Sequence, residues 1–155
     1  MASYLYPDNE LKLIEGNSYI VKVLKLVTLQ DSENYFIVED PFNLRHFIPA
    51  KPYEKYGIRI GSEINCYVDH INCTGRVFLE PDHPVYRIGE KYSFRISGIV
   101  PSQDKDITIK TSDCFGNDIE IIVPETAFLQ NEKAIICAVK RIKRGIPELN
   151  FLNEK

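Results

Sequence analysis

Gly16-Asn17-Ser18-Tyr19 returns as Gly89-Glu90-Lys91-Tyr92, and the likeness runs on at constant offset through Val27 and Val100, Asp31 and Asp104, Asp40 and Asp113, and Phe42 and Phe115. After small shifts it resumes, with Ile48-Pro49 against Val123-Pro124 and Ile64-Asn65-Cys66-Tyr67-Val68 against Ile135-Ile136-Cys137-Ala138-Val139. One design is therefore carried twice. A period of about seventy residues is too long for a solenoid unit and suits two small complete barrels.

Working outward from the repeat, segments such as Tyr19-Ile20-Val21-Lys22-Val23-Leu24, Tyr35-Phe36-Ile37-Val38 and Ile119-Glu120-Ile121-Ile122-Val123 are rich in β-branched and aromatic residues and bounded by turn formers. That composition predicts strands, and helical periodicity is scarce. Five strands are expected in each copy, over 17–27, 34–39, 44–48, 62–71 and 74–79, then 90–99, 106–111, 117–123, 132–142 and 146–152. Asp40-Pro41-Phe42-Asn43 and Asp113-Cys114-Phe115-Gly116-Asn117 supply chain reversals at matching places. The expected fold class is all-β, two tandem five-stranded barrels: an N-terminal segment 1–14, a first barrel 15–80, a linker 81–86 stiffened by Pro81 and Pro84, and a second barrel 87–155. Modules this small are expected to pack on each other to bury enough surface.

The order of three strands, a longer crossing near 50–57 or 125–130, and two further strands resembles the oligonucleotide/oligosaccharide-binding (OB) fold. Within it the pattern looks most like the S1-like RNA-binding domains. Gly16 and Gly89 lead the first strands, Tyr35-Phe36 lies in the second, and Phe47-Ile48-Pro49-Ala50 and Ile122-Val123-Pro124-Glu125 follow the third. The resemblance implies OB-like barrels that hold single-stranded ligands.

Composition sets the limits. With 44% hydrophobic and 26% charged residues the chain belongs with globular proteins. No apolar run reaches the ~18 residues of a membrane span, and the start Met1-Ala2-Ser3-Tyr4-Leu5-Tyr6-Pro7-Asp8 has neither a basic nor an apolar leader region, so a cytoplasmic location is expected. Cys66, Cys73, Cys114 and Cys137 form no Cys-x-x-Cys pair and are expected as buried thiols. The net charge of −3 argues against a strongly electrostatic nucleic-acid binder. The halves differ, however: residues 1–83 hold 8 Lys/Arg against 12 Asp/Glu, and residues 84–155 hold 11 against 10. Positive charge gathers at Lys140, Arg141, Lys143 and Arg144, which read either as a solvated hairpin end or as phosphate contacts.

Two copies also separate inside from outside, because core positions are apolar in both while surface positions diverge. Tyr19, Val21 and Val23 match Tyr92, Phe94 and Ile96 as core. Leu44, His46 and Ile48 match Ile119, Ile121 and Val123, and Ile107 and Ile109 point in. The outer face of strands one to three then carries Lys22, Tyr35, Ile37, Arg45 and Phe47 in the first module, and Arg95, Thr108, Lys110, Glu120 and Ile122 in the second. Two rings flanked by Lys and Arg make a stacking platform for bases, unless the N-terminal tail or the other module covers them.

His46 falls on an inward position and reads as a core imidazole. His70, Cys66 and Cys73 could supply three zinc ligands, with His83 a remote fourth, but Cys66 has an apolar strand position and the spacing is not metal-like, so no metal is expected. Asp31, Asp40, Asp104 and Asp113 recur at turns, where capping explains them. No nucleophile elbow, phosphate loop or His-Glu-x-x-His occurs, so neither enzymatic activity nor a cofactor is expected. The resulting expectation is a non-catalytic binder of single-stranded nucleic acid, RNA before DNA, through Lys22, Tyr35, Arg45, Phe47, Lys110, Lys140, Arg141, Lys143 and Arg144. The alternative is a protein-interaction module that docks a partner on the same apolar face or on a strand edge, with no membrane involved.

Overall fold

Stiff β-branched side chains alternate with polar ones along most of the chain, and pleated strands accommodate that pattern by sending successive residues to opposite faces. The computed structural model describes residues 12–101, 104–127 and 133–152. The chain is all-β and divides into two units, Met1–Asp82 and His83–Lys155. In the first, β1 (Ser18–Thr28), β2 (Asn34–Glu39), β3 (Arg45–Pro49), β4 (Glu63–Ile71) and β5 (Val77–Pro81) form an antiparallel sheet in the order β3-β2-β1-β4-β5. In the second, β6 (Lys91–Pro101), β7 (Asp106–Ser112), β8 (Asp118–Pro124), β9 (Ala134–Lys143) and β10 (Ile146–Phe151) repeat that succession as β10-β9-β6-β7-β8. β3 comes beside β5, and β8 beside β10, so each sheet curls toward a barrel of OB-like design.

The repeat extends to individual hydrogen bonds. Gly16 N–H donates to Val68 O and Gly89 N–H to Val139 O, and Val68 and Val139 donate back to Asn17 O and Glu90 O. Both glycines hold a positive φ, 86° and 89°, a conformation that costs a residue with a Cβ more than it costs glycine. The phenol oxygens of Tyr19 and Tyr92 accept the N–H groups of Ile14 and Arg87. These two tyrosines are therefore half-buried, each with its hydroxyl at the strand entry. Bulges match as well. Leu24 and Ser97 are the extra residues where β1 meets β2 and β6 meets β7, and Asp69 and Lys140 are the extra residues on β4 and β9.

Each unit has its own core. Val21, Val23, Val38, Ile48, Cys66 and Val68 fill the first, and Phe94, Ile109, Ile121, Val123, Cys137 and Val139 the second. Burying each such aliphatic or aromatic side chain contributes about 1.5–3 kcal/mol. A 3-10 segment over Lys51–Tyr56 occupies the longer crossing, kinked at Tyr53. Tyr53 is buried, and its hydroxyl donates to Glu80 Oε1 at 2.9 Å, tying the crossing to β5. The corresponding 3-10 turn in the second unit is Glu125–Ala127.

Several expectations are corrected. Ile48 pairs with Phe36 as Ile121 pairs with Ile109, so Ile48 corresponds to Ile121 and not to Val123. Leu44 then corresponds to Asn117, since Asp40 N–H bonds Leu44 O as Asp113 N–H bonds Asn117 O. Leu44 accordingly lies in a turn and is 48% exposed, not core. β5, expected from residue 74, begins at Val77 because the Asn72 side chain accepts the N–H groups of Thr74 and Arg76 and holds them in the hairpin turn. Cys66 and Cys137 are buried, but Cys73 and Cys114 sit in exposed turns; all four are free thiols. Of the segment 1–14, residues 1–11 lie outside those described, and Leu13 is buried in the first core. Within 81–86, Pro81 ends β5, while His83 and Tyr86 are buried in the second unit.

Candidate nucleic-acid interface

Cross-strand pairing fixes which residues share the outer face of β1, β2 and β3. Three rows result: Lys22, Glu39 and Arg45; Lys25, Ile37 and Phe47; Val27, Tyr35 and Pro49. Lys25 replaces Leu24 on this face because the bulge adds a residue and reverses the alternation beyond it. Lys22 also faces Glu63 on β4, so charges alternate along Glu63, Lys22, Glu39 and Arg45, and Arg45 Nε lies 3.9 Å from Glu39 Oε2. At this exposure such a pair contributes about 0–1 kcal/mol and leaves Arg45, 65% exposed, open to a competing anion.

Tyr35 and Phe47 meet edge to face, with ring centroids 6.1 Å apart and planes at 80°. Phe47 is 43% exposed. The two rings belong to a cleft of about 520 Å³. Its walls come from the β1–β2 loop (Leu29, Asp31), from β3 and the turn before it (Leu44, Arg45, His46), and from the β4–β5 hairpin (Gly75, Arg76, Val77). Asp31 caps its own turn by accepting Glu33 N–H and also accepts the Tyr35 hydroxyl at 2.6 Å. The Tyr35 bond, then the Glu33 bond, holds the Asp31 carboxyl below the ordinary range, and the same carboxylate pushes the Tyr35 phenol up. Arg76 places its guanidinium 4.8 Å from the centroid of Phe78, whose ring also stacks on His70 at 4.2 Å.

In the second unit the equivalent rows are Arg95, Ser112 and Asp118; Gly98, Lys110 and Glu120; and Val100, Thr108 and Ile122. This face has no ring, and Lys110 stands opposite Glu120 with its stem over Gly98. The basic cluster lies at the β9–β10 hairpin, whose two-residue turn Arg144-Gly145 takes φ of 51° and 77°, as the twist of such hairpins requires. The bulge at Lys140 turns both Lys140 and Arg141 away from the core, between buried Val139 and Ile142. Arg141 Nε lies 3.8 Å from Glu148 Oε2, and Lys143 is exposed at the strand end.

Of the expected site, then, Tyr35, Arg45 and Phe47 share one cleft. Lys22 sits in the charged row apart from the cleft lining, and Lys110, Lys140, Arg141, Lys143 and Arg144 belong to the other unit. Arg76, Leu29 and Asp31 line the cleft and were not read as site residues; the placement of OB ligands at the loops after strands one and four is the signal that points to them. His46 is a satisfied imidazole, its Nε2 2.8 Å from the buried Asp40 carboxylate. Asp40 and Asp113 each accept two turn N–H groups, as capping predicts. His70 bonds Asp69 and stacks on Phe78, Cys66 is buried and Cys73 exposed, so these three do not converge; among the described residues no His/Cys/Asp/Glu group is arranged to hold a metal. Burial, with Asp82 and Glu80 adding to it, pushes the Cys66 thiol up, and burial alone takes Cys137 up to about 11, which leaves both unreactive. No described helix is long and apolar enough to cross a membrane. No protein-family model matches the chain, and no curated protein is significantly similar to it.

Proposed function

We propose that this chain is a non-catalytic, cytoplasmic binding protein for single-stranded nucleic acid, and that it takes RNA in preference to DNA. The observation that carries the reading is the composition of the first unit's cleft. Loop one-two, strands two and three, and hairpin four-five are where OB barrels hold oligonucleotides, and here they bring together two rings and two arginines. Rings accept any base by stacking, and arginine fits phosphate through paired N–H groups. RNA is the expected ligand because its loops and ends present unstacked bases to such platforms. The S1-like look of the sequence pattern, with Gly16 and Gly89 leading the first strands and Tyr35-Phe36 in the second, supports RNA as the ligand. Lys110 and the hairpin cluster Lys140, Arg141, Lys143 and Arg144 would add phosphate contacts. One observation favours a protein partner instead: Val100 and Ile122 leave apolar surface exposed on the second unit, at 43% and 66%.

Titration of labelled single-stranded RNA and DNA by fluorescence anisotropy over a range of salt tests the proposal. Binding should weaken with salt with a log–log slope of about 0.7 per phosphate contact, and replacing Lys140, Arg141, Lys143 and Arg144 by Gln should flatten that slope. If no strand binds even at low salt, the nucleic-acid reading fails and the apolar row of the second unit becomes the surface to test for a protein partner.

A further inference from the structure

Asp31 caps its turn, and its carboxylate also lines the first unit's cleft together with Tyr35, Phe47, Arg45 and Arg76, the one acid among them. The carboxylate is fixed in place. Its Oδ1 accepts Glu33 N–H at 2.9 Å and its Oδ2 accepts the Tyr35 hydroxyl at 2.6 Å. An ionised carboxylate has about four acceptor positions, two on each oxygen, so these bonds leave each oxygen a lone pair for a further donor. The same bonds keep the group ionised at neutral pH. Being ionised, it accepts and cannot donate.

Resting on the single-strand reading of this cleft, we propose that Asp31 makes it selective for guanine. The edge-to-face packing of Tyr35 and Phe47 offers a ring face to one base at a time, with the second ring as a wall. Because the Tyr35 phenol points at Asp31, a base stacked on that ring brings its edge within reach of the carboxylate. Only guanine presents two adjacent donors there, the ring N–H and the 2-amino group, and these match two neighbouring carboxylate oxygens. Adenine and cytosine present one amino group beside a ring nitrogen whose lone pair the carboxylate repels. Uracil presents one N–H between two repelled carbonyls. The sugar-phosphate backbone is repelled by Asp31 in turn and is directed toward Arg45 and Arg76 on the other walls.

The test uses the full chain and short labelled oligouridylates carrying one central guanosine, inosine, adenosine, cytidine or uridine. A bidentate contact at an exposed site should favour guanosine by about five- to tenfold over uridine, adenosine and cytidine, with inosine, which lacks the 2-amino group, in between. Asp31→Asn, which keeps a side-chain oxygen for the Glu33 cap, should bring the guanosine-to-uridine affinity ratio to about one, whatever the variant's affinity for the all-uridine strand. Equal affinity of the native protein for all five strands, or a guanosine preference that survives in Asp31→Asn, overturns the inference and leaves the single-strand reading standing. Absence of binding to every strand at low salt overturns both. The inosine comparison involves no protein substitution and is independent of how the variant folds.

Discussion

Where the first unit carries Lys25, Ile37 and Phe47 across its outer face, the second carries Gly98, Lys110 and Glu120; where the first has Val27, Tyr35 and Pro49, the second has Val100, Thr108 and Ile122. Beneath these rows the glycine turn, the tyrosine at the strand entry, the bulges and the Asp-capped reversal recur bond for bond. The difference teaches that the frame and the face are specified by separate residues. Inward positions and turn formers hold the barrel, so the outer rows are free to diverge, and only one of the two copies has become aromatic.

The separation can be broken most forcefully from inside. Phe94 is 2% exposed at the position that Val21 holds in the first unit. Phe94→Ala should cost about 3–5 kcal/mol by chemical denaturation, since the barrel cannot collapse onto so large a void. Val21→Ala should cost less, in keeping with the smaller volume removed. Equal losses would mean that the two cores are not equivalent at this position.

A smaller effect is expected on the faces. Tyr35→Ala and Phe47→Ala should each weaken single-strand binding by about 1–3 kcal/mol with little change in salt slope, because stacking and not charge is removed. Thr108→Ala and Glu120→Ala, at the matching positions of the second unit, should not weaken it. Loss of binding from the second pair would show that the ringless face is also used.

The smallest effect concerns His83, which is buried in the second unit and accepts the N–H groups of Val85 and Tyr86 on Nδ1, so that nitrogen is unprotonated. Burial lowers its pKa; nearby Asp113 works against the shift and Arg87 adds to it. The unfolded chain therefore binds this proton more readily, and unfolding takes it up as the pH falls below about 6.5. The contribution to stability should be complete above that pH and be lost below it. Amide-exchange protection of β6 and β7 should fall from pH 7.5 to pH 5.5, and it should fall less in His83→Asn, whose side-chain oxygen keeps a cap without titrating. An equal decline in both proteins would rule His83 out as the source.

Strand positions were legible because two copies of one pattern average out accidents: Val21 and Phe94 differ in size yet agree in side. The alignment of β3 with β8 was misjudged by two residues, but two is the period of a strand, so sidedness survived and only Leu44, at the turn, was misplaced. The bulge at Leu24 was not legible, because an unpaired residue in a strand looks like its neighbours until a partner strand is present to skip it. Lys25 was missed for that reason. Arg76 and Leu29 were missed because they are loop residues, brought to the rings by curvature of the sheet and not by any local period.

The extra residue in β1 also bears on how such a face is inherited. The partner strand skips Leu24 and pairs everything beyond it as if it were not there, and its counterpart Ser97 shows that the skipped residue differs in chemistry while the bulge recurs. Substitution along the rows alters what the face binds by degrees. Loss of the Leu24 codon would leave Lys25, Leu26 and Val27 opposite Ile37, Phe36 and Tyr35, on the sides they now hold, and would remove only the local bend and twist of the bulge. Both copies have eleven residues in this strand, one of them skipped, while their outward side chains differ, so the chemistry of the face can change without loss of the bend that aims it.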